Sequence, residues 1–288
     1  MVVDVHTHYF RPKLDLTQHL LDDLVRCGVN TSGWDNFDEL YHSGTREADV
    51  AIVFGLRAAA TGWNIPNEVV AAHVKSSPSK LIFFASVDAA AANPLEELVY
   101  CHQDLGCCGL KLGPIYQGIH PCDKRCHTLY NYCQKHGLPI LFHVGTTFSS
   151  GTPLDYSRPS HIDQVAVDFP DLKIIMAHLG HPWEGETIAV IRRNPNVFAD
   201  LSALYYRPWQ FYNSMRLLVE YRAEAKVLFG SDFPFTTTGN SLAGLRGINN
   251  VLINSGLPPI PQDIIENIIH RDTLKLLELD DPRKKVFP

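Results

Sequence analysis

The chain has 288 residues, of which 45% are hydrophobic and 19% are charged, and its formal net charge at pH 7 is -6. This composition is ordinary for a globular protein, and so mild a charge gives no electrostatic reason to expect nucleic acid or an anionic membrane as a partner. The N-terminus lacks the pattern of a signal peptide, and no apolar run is long enough to cross a bilayer. We therefore expect neither nucleic acid nor a membrane as a partner.

The seven cysteines are an odd number and are not arranged like those of a small secreted scaffold. Reduced thiols and a cytoplasmic location are the interpretation we favour. Cys122 and Cys126 are spaced like a metal clip, but structural zinc usually needs four ligands in paired knuckles. Small apolar packing residues are therefore the more economical reading of these two cysteines.

Strand-like apolar runs alternate with helix-like stretches along the chain, which is the pattern of parallel βα units. Strands are predicted at residues 2–5, 50–54, 81–87, 109–112, 139–143, 172–177, 197–201 and 227–229. Helices are predicted at residues 67–75, 94–105, 126–135, 162–169, 186–192, 209–221, 241–254 and 261–279. No linker, repeat or low-complexity tract divides the chain, so we expect one domain over residues 1–288.

Eight strands with intervening helices favour a closed barrel over an open doubly wound sheet. An open sheet would often carry a glycine-rich phosphate turn after its first strand, whereas here the first strand runs into His6-Thr7-His8. We therefore predict an α/β protein with a (β/α)8 TIM barrel, in a slightly distorted form. In such barrels the catalytic residues lie at the carboxyl ends of the strands.

Residue types that bind metals follow four of the predicted strands. His6 and His8 end the first strand, and residues two apart in a strand point to the same face. His143 ends the fifth strand, His178 follows the sixth, and Asp232 follows the eighth. Each alone has an ordinary reading, such as a loop histidine or a helix N-cap aspartate. Together they predict a metal centre.

Three imidazoles and one carboxylate suit zinc or another borderline first-row ion better than magnesium or calcium. Such a site leaves an open position for a water molecule, whose pKa the metal lowers to about 7. On the residues alone, His178 is equally acceptable as a fourth imidazole ligand or as an acid–base residue.

The combination of His6-x-His8, His143, His178 and Asp232 resembles the amidohydrolase superfamily. It is most similar to the amidohydrolase-related branch, which includes aminocarboxymuconate semialdehyde decarboxylase and metal-dependent TIM-barrel hydrolases. Residues 142–147, 177–183 and 229–234 are close to the motifs of that branch. The resemblance implies a homodimer that holds one divalent metal, zinc or alternatively manganese, with His6, His8, His143 and Asp232. It also implies catalytic roles for His178 and Asp232.

Further residues are candidates for substrate binding. Lys111, on the fourth strand, could be a carboxylated lysine that bridges two metals, an anchor for a substrate carboxylate, or a lysine paired in the core. Similar sequences often carry histidine two residues later, where this chain has Gly113, and this difference favours one metal. Arg57, His181 and Trp183 are also predicted to line the substrate site, since each follows a predicted strand.

Two reactions fit these residues. The first is hydrolysis of an ester, lactone or amide through a metal-activated water, and the alternative is non-oxidative decarboxylation of a small unsaturated or aromatic acid. His-x-His in the first strand, where several related decarboxylases have Glu-x-His, favours hydrolysis slightly. A barrel that binds metal without catalysis is a third hypothesis, which the full set of expected ligands argues against.

Overall fold

In the computed structural model, which describes residues 1–252 and 255–284, eight parallel strands form the centre of the fold. They are β1 (Val3–His8), β2 (Val50–Phe54), β3 (the segments Leu81–Phe83 and Ala85–Ser86), β4 (Leu110–Leu112), β5 (Ile140–Phe142), β6 (Ile174–Met176), β7 (Val197–Asp200) and β8 (Val227–Leu228). The α-helices around them are Pro12–Asp15, Gln18–Arg26, Phe37–Gly44, Asn67–Ser76, Pro94–Gln103, Pro114–Gln117, His127–His136, Ser160–Asp168, Glu184–Arg193, Pro208–Glu220, Thr238–Arg246, Gln262–Ile269 and Thr273–Leu276.

The strands pair in sequence order and close on themselves. The first segment of β3 pairs with β2 and its second segment pairs with β4, so one strand joins both halves of the sheet. The seam between β8 and β1 is closed by the Val5 amide, which donates to the Phe229 carbonyl at 3.0 Å, and by a parallel bridge between Thr7 and Phe233. The predicted (β/α)8 TIM barrel is therefore confirmed.

Alternation along the strands separates two apolar cores. In β2, Val50, Ile52 and Phe54 pack inside the barrel, whereas Ala51 and Val53 pack against the helices. This is the period-two pattern of a strand that is buried on both faces. Side chains such as these fill the interior of the barrel. The open end of the barrel lies at the carboxyl ends of the strands.

A β-bulge in β1 decides where the first two predicted ligands point. Val3 and Val5 belong to the interior core, so strict alternation would turn His6 and His8 towards the helices. The register between β1 and β2 shifts between Asp4 and Thr7, and such a shift re-aims the side chains that follow. As a result His6 and His8 point to the mouth of the barrel.

Several elements differ from the sequence prediction. Strand β1 extends through His8, and the helices Gln18–Arg26 and Phe37–Gly44 were not predicted. The predicted helix at 261–279 is divided into Gln262–Ile269 and Thr273–Leu276. The predicted helix at 241–254 is an α-helix, Thr238–Arg246, followed by a 3-10 turn, Ile248–Leu252, and its last two positions lie outside the described residues. None of the described helices has the length and apolarity needed to cross a membrane.

Candidate metal centre

A cavity of ≈ 540 Å³ opens at the carboxyl ends of the barrel strands. This volume lies within the range of small-molecule sites. His8, His143, His178 and Asp232 line it, and His6 lies fully buried beneath them. Loops that follow the strands supply its walls, as expected for a barrel enzyme. The predicted ligands are therefore gathered at one place on the cavity floor.

The tightest contacts join β1 to the loop after β8. The Nε2 atoms of His6 and His8 are 3.3 Å apart, and each lies 3.3 Å from Oδ1 of Asp232. Three potential ligand atoms thus surround one small volume. The Nδ1 atom of His8 has no partner among the described residues.

Asp200, at the end of β7, fixes the ring of His6. Its Oδ2 lies 2.9 Å from Nδ1 of His6, so that nitrogen carries the proton and donates it. The lone pair of the ring is therefore on Nε2, the atom that faces His8 and Asp232. A histidine metal ligand usually donates its other ring N–H to a carboxylate or carbonyl in this way.

His178 is oriented through Ser202. The hydroxyl of Ser202 donates to Oδ1 of Asp200 in a short contact and lies 2.7 Å from Nδ1 of His178. Because its proton goes to Asp200, the hydroxyl accepts the Nδ1 proton of His178, and the lone pair of that ring is on Nε2. The backbone N–H of His178 also donates to Oδ1 of Asp200 at 2.9 Å.

His143 completes the arrangement from β5. Its Nε2 donates to the carbonyl of Thr146 at 3.1 Å, so its lone pair is on Nδ1. That atom lies 3.2 Å from Nε2 of His178, whose lone pair faces it. Two facing lone pairs repel each other unless a cation lies between or beside them.

The donor set therefore fits a divalent metal. Lone pairs of His6 and His178 and a carboxylate oxygen of Asp232 converge, with a ligand atom of each within 4.8 Å of the others, and Nδ1 of His143 lies 3.2 Å from Nε2 of His178. A cation on the cavity floor relieves their mutual repulsion, and imidazole and carboxylate are ligands that first-row divalent metals accept.

Burial shifts the titration of the ligand groups towards their neutral forms. It lowers the pKa of His6, His8 and His178 well below the usual histidine range and lowers that of His143 to about 3. Burial also raises the pKa of Asp232 well above its usual value. The neutral imidazoles are ready to bind a metal, while a metal would displace the proton that burial favours on Asp232.

Two of these residues have an uncommon backbone conformation. His178 and Asp232 have φ values of 59° and 69°, in the left-handed region that costs about 1–3 kcal/mol outside glycine. The His178 amide is held by Asp200, and the Asp232 amide donates to the His6 carbonyl at 2.8 Å. These bonds keep the strained residues turned into the cavity.

Two of the predicted substrate-binding residues lie at the cavity. Nζ of Lys111 is 3.4 Å from Nε2 of His6 and 4.7 Å from the centre of the Phe54 ring, and burial lowers the pKa of this lysine to about 7. His181 also lines the cavity, and burial, with a smaller effect of Arg207, lowers its pKa to about 4.

Arg57 and Trp183 are placed elsewhere. Nε of Arg57 lies 3.1 Å from Oε1 of Glu97, and the Trp183 ring is covered by the guanidinium of Arg158 at 4.8 Å. Neither residue is among the described residues that line the cavity. The reason is local: Arg57 forms an ion pair with Glu97, and Trp183 packs against the guanidinium of Arg158.

The sequence reasoning missed three buried polar residues that orient the site. Asp200 ends β7, so the strand-end criterion applied to the other ligands would have found it. Asp4 accepts the backbone N–H of Ser231 at 2.8 Å and the hydroxyl of Thr238 at 2.7 Å, and burial raises its pKa to about 6. Ser202 has no sequence feature that marks it.

Comparison with known proteins agrees with this geometry. The amidohydrolase family model matches residues 3–279. An uncharacterised TIM-barrel protein from Bordetella bronchiseptica is 23% identical, with a TM-score of 0.72 over 96% of this chain and 98% of that one. A probable 2-pyrone-4,6-dicarboxylic acid hydrolase from Acinetobacter baumannii, with citric acid bound, is 12% identical, with a TM-score of 0.66 over 96% and 99%.

A dihydroxybenzoic acid decarboxylase from Polaromonas, with bound manganese and the inhibitor 2-nitroresorcinol, is 14% identical, with a TM-score of 0.62 over 96% of both chains. At these sequence identities, the similarity to solved structures is evidence for the fold alone. No curated protein matches the chain. The family match, however, spans nearly the whole barrel and includes all of the predicted metal ligands. The chain belongs to the amidohydrolase family of metal-dependent enzymes.

Proposed function

We propose that this enzyme hydrolyses a small ester, lactone or amide by means of one divalent metal. The observation that carries the proposal is the set of imidazole and carboxylate ligand atoms that lie close together on the floor of the cavity. Non-oxidative decarboxylation of a small unsaturated or aromatic acid is the second candidate. Solved structures with the same fold are named for both reactions.

In this proposal His6, His8, His143 and Asp232 hold the metal, and zinc is the ion that we expect. Three imidazoles and one carboxylate suit zinc, and manganese is the alternative. When bound, the metal lowers the pKa of a water molecule and polarises a substrate carbonyl. Asp200, through Nδ1 of His6, keeps that ligand in the correct tautomer.

His178 manages the proton in our proposal. Its Nε2 carries a lone pair that faces the cavity, and its Nδ1 proton is held by Ser202. Nε2 therefore accepts a proton from the attacking water and returns it to the leaving oxygen or nitrogen. Asp232, whose Oδ1 lies 3.3 Å from Nε2 of both β1 histidines, helps to position the water.

Lys111 and His181 are proposed to contact the substrate. Lys111 reaches the floor beside His6, where its amine can donate to a substrate oxygen next to the reacting carbonyl. His181 lines the cavity wall close to His178, with ring centres 6.1 Å apart. Burial keeps His181 neutral at physiological pH, so we expect it to provide a hydrogen bond and no charge.

One observation favours the decarboxylase alternative. Trp63, Tyr116, Phe148 and Phe235 line the cavity, and their rings lie in contact in a chain: Trp63 and Tyr116 each lie within 6.3 Å of Phe148, which lies 5.9 Å from Phe235. Flat aromatic acids would stack well against such walls. In that reaction the bond to the carboxyl carbon breaks, carbon dioxide leaves, and the ring carbon takes a proton that Nε2 of His178 has first accepted from water.

A paired substrate screen tests the proposal. The zinc-loaded enzyme is incubated with aryl esters, unsaturated lactones and anilides, and separately with hydroxybenzoates and unsaturated acids. Release of a new acid from the first set, with no carbon dioxide from the second, supports hydrolysis. If carbon dioxide is released from the second set and no acid is released from the first, the enzyme is a decarboxylase. His19→Ala, a change of an exposed histidine, serves as the control for His178→Ala.

We also propose a homodimer in the cytoplasm, with a small molecule as the only partner of the active site. Native mass spectrometry of the purified enzyme tests the assembly. A monomer at micromolar concentration would rule out the dimer and leave the proposed reaction unaffected.

A further inference from the structure

Arg207 is a cation on the cavity wall that forms no ion pair with a described carboxylate. It lines the cavity, and within the described part of the chain no carboxylate lies at ion-pair distance from it. Other arginines of the chain pair with acids, as Arg57 does with Glu97 and Arg158 with Glu186. A guanidinium left unpaired beside a cavity is available to an anion that comes from solution.

The guanidinium is held in place before any ligand arrives. Its Nη1 donates to the carbonyl of Ala203 in a short contact, and its Cζ lies 4.5 Å from the centre of the Tyr206 ring. The backbone N–H of Arg207 donates to the carbonyl of Leu204 at 2.9 Å. Because the side chain is already ordered, little conformational entropy is lost when it binds a ligand.

The other charged groups of the cavity cannot take its place. Among the described lining residues, Asp232 is the acidic one, and it is committed to the cavity floor. Lys111 is fully buried at the floor, in contact with His6. Arg207 lines the cavity from the loop after β7 and is itself partly exposed, so it lies nearer the mouth than Lys111 does. The cavity thus has Asp232 and Lys111 at its floor and a separate cation, Arg207, nearer its mouth.

We infer that Arg207 binds a carboxylate on the substrate, at the end remote from the reacting carbonyl. A planar guanidinium binds a carboxylate through two parallel hydrogen bonds, which a neutral amide cannot reproduce. The aromatic side chains of Trp63, Phe148 and Phe235 favour a planar substrate that lies between the cavity floor and Arg207. The substrate is therefore a small, flat, unsaturated ester, lactone or amide with an additional carboxylate. The identity of its reacting group rests on the proposed function, whereas the carboxylate site does not.

Equilibrium binding of inert probes tests this inference separately from turnover. Isothermal titration calorimetry on the zinc-loaded enzyme compares isophthalate with 3-carbamoylbenzoate, which replaces one carboxylate by a neutral amide. We expect isophthalate to bind about 10-fold to 100-fold more tightly, the range of a charge-assisted pair. Arg207→Gln should remove this preference, and Arg207→Lys should retain part of it.

Arg192→Gln is the matched control, because Arg192 also lies over a tyrosine, Tyr221, on the surface outside the cavity. This variant should keep the full preference. Equal affinities for the two probes, no binding of either at millimolar concentration, or a preference that survives Arg207→Gln would overturn the inference. Tight binding of isophthalate without hydrolysis in the substrate screen would leave the carboxylate site standing and count against the proposed reaction alone.

Discussion

Among the residues that the structure describes, two groups of histidine and aspartate side chains could hold a metal, and they differ in one decisive respect. The central group includes His6, His178 and Asp232, all buried, and the peripheral group is His120, Asp155 and His161. In both groups the ligand atoms lie close together. In the centre, Asp200 and Ser202 accept protons from the remote ring nitrogens, so the free lone pairs face inward.

The peripheral group lacks this arrangement. Nδ1 of His120 accepts the backbone N–H of Cys122 at 3.1 Å, which leaves the ring proton on Nε2. Nε2 of His161 lies 3.2 Å from a carboxylate oxygen of Asp155, which is itself 64% exposed. These side chains already form hydrogen bonds with one another or with the backbone. Residue type and proximity are therefore insufficient to make a metal site, and the partner of the remote ring nitrogen decides.

Removing a proposed ligand from the central group should have the largest effect on zinc affinity. Asp232→Asn removes a charged ligand and should weaken zinc binding by more than about 100-fold, beyond the effect usual for outer partners. Competition with a chelating dye measures the affinity. Asp155→Asn makes the same change in the peripheral group and should leave the affinity unchanged. Equal loss in both variants would mean that the two groups do not differ as described.

Removing the partner of a remote nitrogen should have the next largest effect. Asp200→Asn takes the carboxylate away from Nδ1 of His6, and we expect zinc affinity to fall about 10-fold to 100-fold. The same dye competition provides the measurement. Asp15→Asn is the control, since Asp15 is also buried but pairs with Arg11 away from the cavity. An unchanged zinc affinity in Asp200→Asn would mean that the partner of the remote ring nitrogen does not distinguish the two groups.

A smaller effect is expected from Ser202→Ala, which removes the acceptor for Nδ1 of His178. We expect kcat to fall about tenfold, equivalent to 1.4 kcal/mol, because His178 loses its fixed tautomer. Zinc content and KM should change little, and Ser202→Thr should restore kcat. Nitrogen-15 NMR of the His178 ring should show a mixture of tautomers in the alanine variant alone.

The serine prediction has its own control in Ser214→Ala. Ser214 is also fully buried, but it bonds to Glu184 and Gln210 on the outside of the barrel. This variant should keep both kcat and the His178 tautomer. If it slows the reaction as much as Ser202→Ala does, the loss reflects general packing and the proposed orientation of His178 is wrong.

The sequence predicted the strand ends well because buried parallel strands have a clear composition and a fixed period. Strand β2 was predicted with its observed bounds, and the ends of β5, β6 and β8 carried His143, His178 and Asp232 to the cavity. The β-bulge after Asp4 could not be predicted, since it depends on the pairing of β1 with β2. His6 and His8 share a face as expected, but only the bulge makes that face the inner one.

Loops limited the rest of the prediction. Arg57 and Trp183 follow strands, as the site residues do, yet each turns to a neighbour outside the cavity. Arg207 follows β7 on a similar loop and lines the cavity. The difference lies in loop conformation, such as the left-handed backbone at Ala203, with φ 62°, which no local sequence pattern specifies. Residues on the loops around the cavity are therefore less predictable than residues at the ends of the strands.

Zinc content per chain tests the central claim most directly. Wild type, His6→Ala and His120→Ala are loaded with zinc, desalted and measured by elemental analysis. We predict about one zinc per chain in the wild type and in His120→Ala, and almost none in His6→Ala. No bound zinc in the wild type, full zinc in His6→Ala, or loss of zinc in His120→Ala would contradict the account.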